Sequence, residues 1–164
     1  MQRNNMLIGV VADSHDNMKR IEDAIGVFKE RNVEHILHCG DIIAPFAAKL
    51  FTGCGIPVTA VFGNNDGERT GLSKVMDDIG NGPRTVTFGG RKIVVAHTSQ
   101  EIPDGMRNEH DTVIFGHSHK IVVDRDDSAG HLVLNPGECC GWTTGRATVA
   151  VLYSDTLGVE IVDL

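Results

Sequence analysis

Asp13 and His15 stand two residues apart, directly after the apolar run at residues 6–12. A carboxylate and an imidazole at that spacing can close a turn, or they can hold one cation between them. The same ambiguity recurs along the chain. Ile36-Leu37-His38-Cys39-Gly40 leads to Asp41, and Ala60-Val61-Phe62-Gly63 leads to Asn64, Asn65 and Asp66. Ile93-Val94-Val95-Ala96 leads to His97, and Val113-Ile114-Phe115-Gly116 leads to His117 and His119. Each ending alone has a plain reading: a turn at Gly40-Asp41, side-chain bonds to backbone in the Asn64–Asp66 loop, a packed histidine at 97. His117 and His119 are more pointed, because alternate residues of an extended chain share a face. In α/β sheets, ligands bind beyond the carboxyl ends of the strands, so neighbouring strands with such endings would converge on one site.

The elements that must position these residues are legible. Residues 6–12, 34–38 and 57–62 read as strands. Asn17 can cap a helix whose apolar face is Met18, Ile21, Ile25 and Phe28. Pro45 suits the first turn of a helix that runs to Gly53. Leu72, Val75, Met76 and Ile79 mark a third helix stopped at Gly80. After that the pattern changes. Residues 85–88 and 91–96 flank Gly89-Gly90, a hairpin signal, because both glycines accept positive φ. Residues 112–115, 121–124, 132–134, 147–153 and 159–162 read as further strands, with a solvated acidic turn at 124–128. An α/β first half followed by a strand-rich second half suits two packed sheets with helices outside.

Composition sets the bounds. The 164 residues suit one domain, 1–164, and no linker or repeat interrupts them. Net charge is −7, which disfavours general coating of nucleic acid. No apolar run reaches spanning length, and the first one leads straight into Asp13 instead of a cleavage site, so no membrane role and a cytoplasmic location are expected. Cys39, Cys54, Cys139 and Cys140 form no CxxC pattern and are expected to be buried free thiols.

The ordered set Asp13-x-His15, Gly40-Asp41, Gly63-Asn64-Asn65-Asp66, His97 and Gly116-His117-x-His119 resembles the pattern of the calcineurin-like metallophosphoesterases. Within that family the chain is similar to the small phosphodiesterase branch, to which a retromer scaffold subunit is also related. The resemblance implies an α/β class, four-layer α/β/β/α sandwich of two mostly mixed sheets flanked by helices. It also implies a two-metal centre. Asp13, His15, Asp41 and His119 would hold one ion, and Asp41, Asn64, His97 and His117 the other, with Asp41 shared. Asp41, Asn64, Asn65 and His97 would surround the reacting phosphate. Carboxylate, amide and imidazole donors suit manganese or nickel, with iron or zinc also compatible. The implied reaction is attack of a metal-bridging hydroxide on a small phosphodiester. Phosphomonoester or phosphoprotein hydrolysis, or a non-catalytic scaffold role, are the alternatives, and self-association is open.

Some positions depart from the pattern. Asn65 stands where many relatives carry a histidine, and an amide cannot serve as a general acid. Thr98 replaces a glycine. Glu138, in Asn135-Pro136-Gly137-Glu138, stands where Ser is usual; it could line the pocket or face solvent, and solvent is the expected reading. Arg146 is read equally as a phosphate contact or a surface ion pair, and Trp142 as core or interface. His38 is expected to pack in its strand and Asp66 to hold its turn. His35, His110 and His131 are expected on the surface.

Overall fold

The computed structural model describes residues 5–164. The first half alternates β1 (Leu7–Val11), α1 (Met18–Glu30), β2 (His35–His38), α2 (Pro45–Thr52), β3 (Val58–Val61), α3 (Arg69–Val75) and β4 (Ile79–Gly80). The second half is mostly strand: β5 (Arg84–Phe88), β6 (Arg91–Val95), a 3-10 turn at Ser99–Glu101, α4 (Asp104–Glu109), β7 (Thr112–Ile114), β8 (Ile121–Asp126), β9 (His131–Pro136), β10 (Thr148–Tyr153) and β11 (Gly158–Asp163). One sheet has the order β11-β10-β1-β2-β3-β4 and the other β5-β6-β7-β9-β8. Both are mixed: β1, β2, β3 and β4 run parallel, as do β6, β7 and β9, while β10, β11, β5 and β8 pair antiparallel.

Strand alternation sorts the core. Val11, Ile36, Ala60, Val149 and Val151 face the helices, packing on Ile21, Phe28, Ala47 and Phe51. Their neighbours Ile8, Val10, Leu37, Val61, Ala150 and Leu152 point the other way and meet Ile93, Val95, Ile114 and Leu134 of the second sheet. The outer face of that sheet, with Val94 and Val113, is covered by Ile102 and Met106 from the 3-10 turn and α4. The result is the expected α/β/β/α layering. Phe28 and Phe51 are fully buried, worth roughly 1.5–3 kcal/mol each.

Local chemistry explains most element ends. The Asn17 side chain accepts the Arg20 amide at 3.4 Å and starts α1. Pro45 opens α2 and Gly53 ends it. Gly89 and Gly90 have φ of 55° and 79°, so the β5–β6 hairpin turns where only glycine is unstrained.

The third helix is shorter than the apolar spacing implies. It ends at Val75, Met76 is extended (φ −130°, ψ 104°), and Ile79 lies in strand β4 beside Ala60. The competing demand is the open edge of β3. The Ala60 amide bonds to the Asp78 carbonyl and the Phe62 amide to the Gly80 carbonyl, both at 2.8 Å. Leaving those donors unpaired would cost more than a last helical turn gains. β8 also runs on to Asp126, so the exposed turn follows that residue, which accepts the Ser128 and Ala129 amides. The helix α4, with Pro103 at its N-cap, has no counterpart in the sequence reading.

Candidate metal centre

β1, β2, β3, β6 and β7 all end toward one place, and the residues beyond their ends are bent hard to reach it. Asp13, His15, Asp41, His117 and His119 have φ of 52°, 43°, 60°, 66° and 60°. Left-handed backbone is uncommon outside glycine and persists only where the surroundings impose it. Here they do. The Asp13 amide donates to the Gly40 carbonyl at 3.1 Å, and the His15 amide to the Asp41 carbonyl at 3.0 Å. The Asp66 carboxylate accepts the amides of Gly63, Asp41 and Ile43 at 2.7, 2.9 and 2.8 Å. Asp66 therefore ties the β2 loop to the β3 loop. Asp13 Oδ2 accepts the His117 amide at 2.9 Å and ties the two sheets together. Gly63 must be glycine for a different reason: a Cβ there would overlap the Asp41 carboxylate and amide.

The side chains converge on Asp41. Its Oδ2 lies 3.4 Å from His15 Nε2 and 3.4 Å from His97 Nε2. Asp13 Oδ1 lies 3.5 Å from His119 Nε2 and 3.8 Å from His15 Nε2. His97 Nε2 is 2.8 Å from Asn64 Oδ1, and its Nδ1 bonds to the Cys39 carbonyl at 2.7 Å. The His117 ring stands beside His97, centroids 5.1 Å apart, and is exposed. Asn65 donates its amide N–H to Asp41 Oδ1 at 2.9 Å and its side-chain N–H to Oδ2 at 2.8 Å.

Charge is concentrated in this place. Burial works to raise the Asp41 carboxyl, but His97 and Asn65 outweigh it and hold it well below the usual range. The Asp13 and Asp41 carboxylates together raise His15 against the opposing effect of burial. His97 is lowered by burial but raised more by Asp41. Asp13 Oδ1 and His15 Nε2 are buried with no hydrogen-bond partner in the protein. Such atoms cost about 1–3 kcal/mol each unless something else satisfies them. A divalent cation would, and the donors fit one: Asp13, His15 and His119 form one cluster and Asp13, Asp41 and His97 another, with the ligating atoms of each within 4.8 Å.

Several expectations about nearby residues need correction. Glu138 does not face solvent; it is 0% exposed and accepts from His119 Nδ1 at 2.5 Å. Burial would raise its carboxyl, but Thr144, His119 and Thr143 hold it at about 2. The loop at Thr143–Thr144 folds back to supply those donors, and no local pattern announces that. His110 is buried, bonded to the Met106 carbonyl and to Thr85 Oγ1, and His35 and His131 are half-buried on Thr59 and the Arg107 carbonyl. Arg146 is paired with Asp163 at 2.5 and 3.0 Å. Trp142 is 65% exposed. The cysteines are free as expected, though Cys54 is only half-buried. The Cys140 thiol, beside Glu138, is pushed up to about 12 chiefly by burial and is no thiolate near neutral pH.

Fold and site together define a two-sheet α/β protein with a cluster of carboxylates and imidazoles, fit to hold metal ions, at its strand ends. Comparison with known proteins names the family: residues 6–157 match the calcineurin-like phosphoesterase superfamily domain, and the chain belongs to that superfamily. It is 36% identical over 161 residues to a phosphodiesterase of Methanocaldococcus jannaschii, covering 92% of this chain and 94% of that one. The solved structure of an archaeal phosphodiesterase superposes with a TM-score of 0.87 at 34% identity, over 97% of this chain and 100% of that one. A Vps29 mutant from Entamoeba histolytica shares the fold at 18% identity, with a TM-score of 0.68 over 97% and 99% of the two chains. Among the described residues, no helix is long and apolar enough to cross a membrane.

Proposed function

We propose that this chain is a phosphodiesterase that works with two divalent ions. Asp13, His15, Asp41 and His119 hold the first, and Asp41, Asn64, His97 and His117 the second. The observation that carries this reading is the position of Asp41 Oδ2, 3.4 Å from an imidazole of each set. Manganese or nickel suits these donors best, with iron or zinc compatible. Two such ions would supply a water of lowered pKa as nucleophile and positive charge for the phosphate oxygens.

The chain's own residues do the rest. Asn65 fixes both oxygens of the shared carboxylate, so Asp41 cannot turn away from either set. His97 is held at Nδ1 by the Cys39 carbonyl, which leaves Nε2 directed into the site. Asn65 is an amide and cannot give up a proton, so the departing oxygen draws its proton from solvent or substrate. That favours esters with good leaving groups. A small phosphodiester is the substrate class that fits, and the net charge of −7 argues against broad nucleic-acid binding. The four cysteines are free thiols, which suits a reducing compartment such as the cytoplasm.

The test is turnover of bis(4-nitrophenyl) phosphate after chelation, and again after adding back Mn²⁺ or Ni²⁺. Activity should vanish and return. Faster hydrolysis of the corresponding monoester would make the protein a phosphomonoesterase. No hydrolysis by the metal-loaded protein across a panel of esters would leave the scaffold role.

A further inference from the structure

We infer that Glu138 is the positioning residue for His119: its buried carboxylate accepts the Nδ1–H and so directs the Nε2 lone pair toward Asp13 and the first ion. The inference rests on the reading of His119 as a ligand and adds a residue to that reading.

The geometry is specific. Glu138 Oε2 is 2.5 Å from His119 Nδ1, while the opposite ring nitrogen is 3.5 Å from Asp13 Oδ1. A neutral imidazole carries one N–H. Next to a carboxylate that can only accept, that N–H belongs on Nδ1, and Nε2 is left as the donor atom for a cation.

The carboxylate is itself held. Oε1 accepts the amides of Thr143 at 3.0 Å and Thr144 at 2.5 Å, and the Thr144 hydroxyl at 2.6 Å. Oε2 also receives the Thr143 amide at 3.1 Å and the Cys140 thiol at 3.3 Å. The same cluster of His119, Glu138 and Cys140 has ligating atoms within 4.8 Å of one another and invites reading as a third metal site. The donors argue against it. Both carboxylate oxygens are already engaged by hydrogens, and the sulfur is spent as a donor. What remains is a fixed acceptor behind a ligand histidine, the arrangement that sets ring orientation and ligand basicity. Serine at this position would be too short to reach His119 while holding Thr143 and Thr144.

Two measurements test this. Long-range ¹H–¹⁵N spectra of the metal-free wild type should show His119 as the Nδ1–H form; the Nε2–H form overturns the inference, whether or not any variant folds. Calorimetric titration with Mn²⁺ should resolve two steps, one of which weakens about 10–100-fold in Glu138→Gln while the other stays within about threefold. Two unchanged steps, or equal losses in both, overturn it. Thr144→Val removes a hydroxyl from Glu138 but leaves the His119 contact, so it should keep the tautomer and the tight step. If it copies Glu138→Gln, the glutamate only clamps its loop and the inference fails. Failure of hydrolysis would count against the phosphodiesterase reading alone, because the tautomer is read without metal and without substrate.

Discussion

The two sides of the site solve one problem with different chemistry. On the Asn64–His97 side, the inner histidine rests on a neutral backbone carbonyl, that of Cys39. On the Asp13–His119 side, the inner histidine rests on a buried carboxylate, and Ser14, between Asp13 and His15, is braced by His38. A backbone carbonyl comes with the strand and needs no side chain. A carboxylate must be chosen, buried and supplied with donors, and it makes the imidazole a stronger electron donor. The difference teaches that, in the proposed two-ion reading, the two positions are unequal and the first should bind more tightly. In the proposed assignment Asp41 is the ligand shared by both ions.

The largest expected effect tests that shared role. Asp41→Asn should lower diester turnover by more than about 100-fold, beyond the 10–100-fold typical of residues that only support ligands. Metal content per chain should fall with it. His35→Ala and His131→Ala, which lie outside both clusters, should stay near wild-type activity. Equal losses in the three folded variants would break the comparison by misplacing the site.

Next in size is the amide that holds Asp41. Asn65→Asp replaces two donated hydrogens with one donor and a like charge at the 2.8 Å contact. A hydrogen bond to a charged group is worth roughly 1.5–3 kcal/mol, so a loss of about 10–100-fold in kcat/KM is expected, felt on both sides. Asn65→His should lose less, and should favour poor leaving groups relative to nitrophenol if the imidazole reaches the departing oxygen. An unchanged leaving-group slope would show that the residue serves Asp41 only.

The remaining effect is on stability, not on turnover, and concerns the first side alone. His38 is fully buried; its Nδ1 accepts the Gly40 amide at 3.1 Å, so Nε2 donates to Ser14 Oγ at 3.0 Å. That requires the neutral ring, and burial, with His97 adding, lowers its pKa to about 3. The unfolded value, 6.5, lies higher. Between the two, the unfolded chain binds more protons, so stability is complete above 6.5 and falls as pH drops toward 3. Each tenfold difference in proton affinity between the folded and unfolded chain is worth roughly 1.4 kcal/mol, so the loss amounts to about a few kcal/mol. Urea melts between pH 7 and 4, with chelator present, should show a shallower pH slope for His38→Gln than for wild type. Parallel slopes would place the acid-sensitive group elsewhere.

Much of this molecule can be read from its residues because its signals are local. Asn17, Pro45, Gly53 and the Gly89-Gly90 turn each act within a few positions, and the strand ends announce the site through residue type and spacing. What escaped reading is set by distant partners. Ile79 fits a helical face, yet the unpaired edge of β3 draws it into a strand. Glu138 looks like a turn residue until Thr143 and Thr144 fold back on it and His119 arrives from another loop. His110 is buried by a bond to Thr85, 25 residues away. The left-handed backbone at Asp13, His15, Asp41, His117 and His119 is invisible in the sequence, because those residue types favour ordinary conformations unless neighbouring loops hold them.

The most direct test of the central claim, two ions joined by Asp41, is the electron paramagnetic resonance spectrum of the protein with two equivalents of Mn²⁺. The expected result is an exchange-coupled signal from a carboxylate-bridged pair, which collapses to isolated six-line Mn²⁺ in Asp41→Asn. Two equivalents bound with only isolated six-line signals in the wild type, or a single equivalent bound per chain, would contradict it.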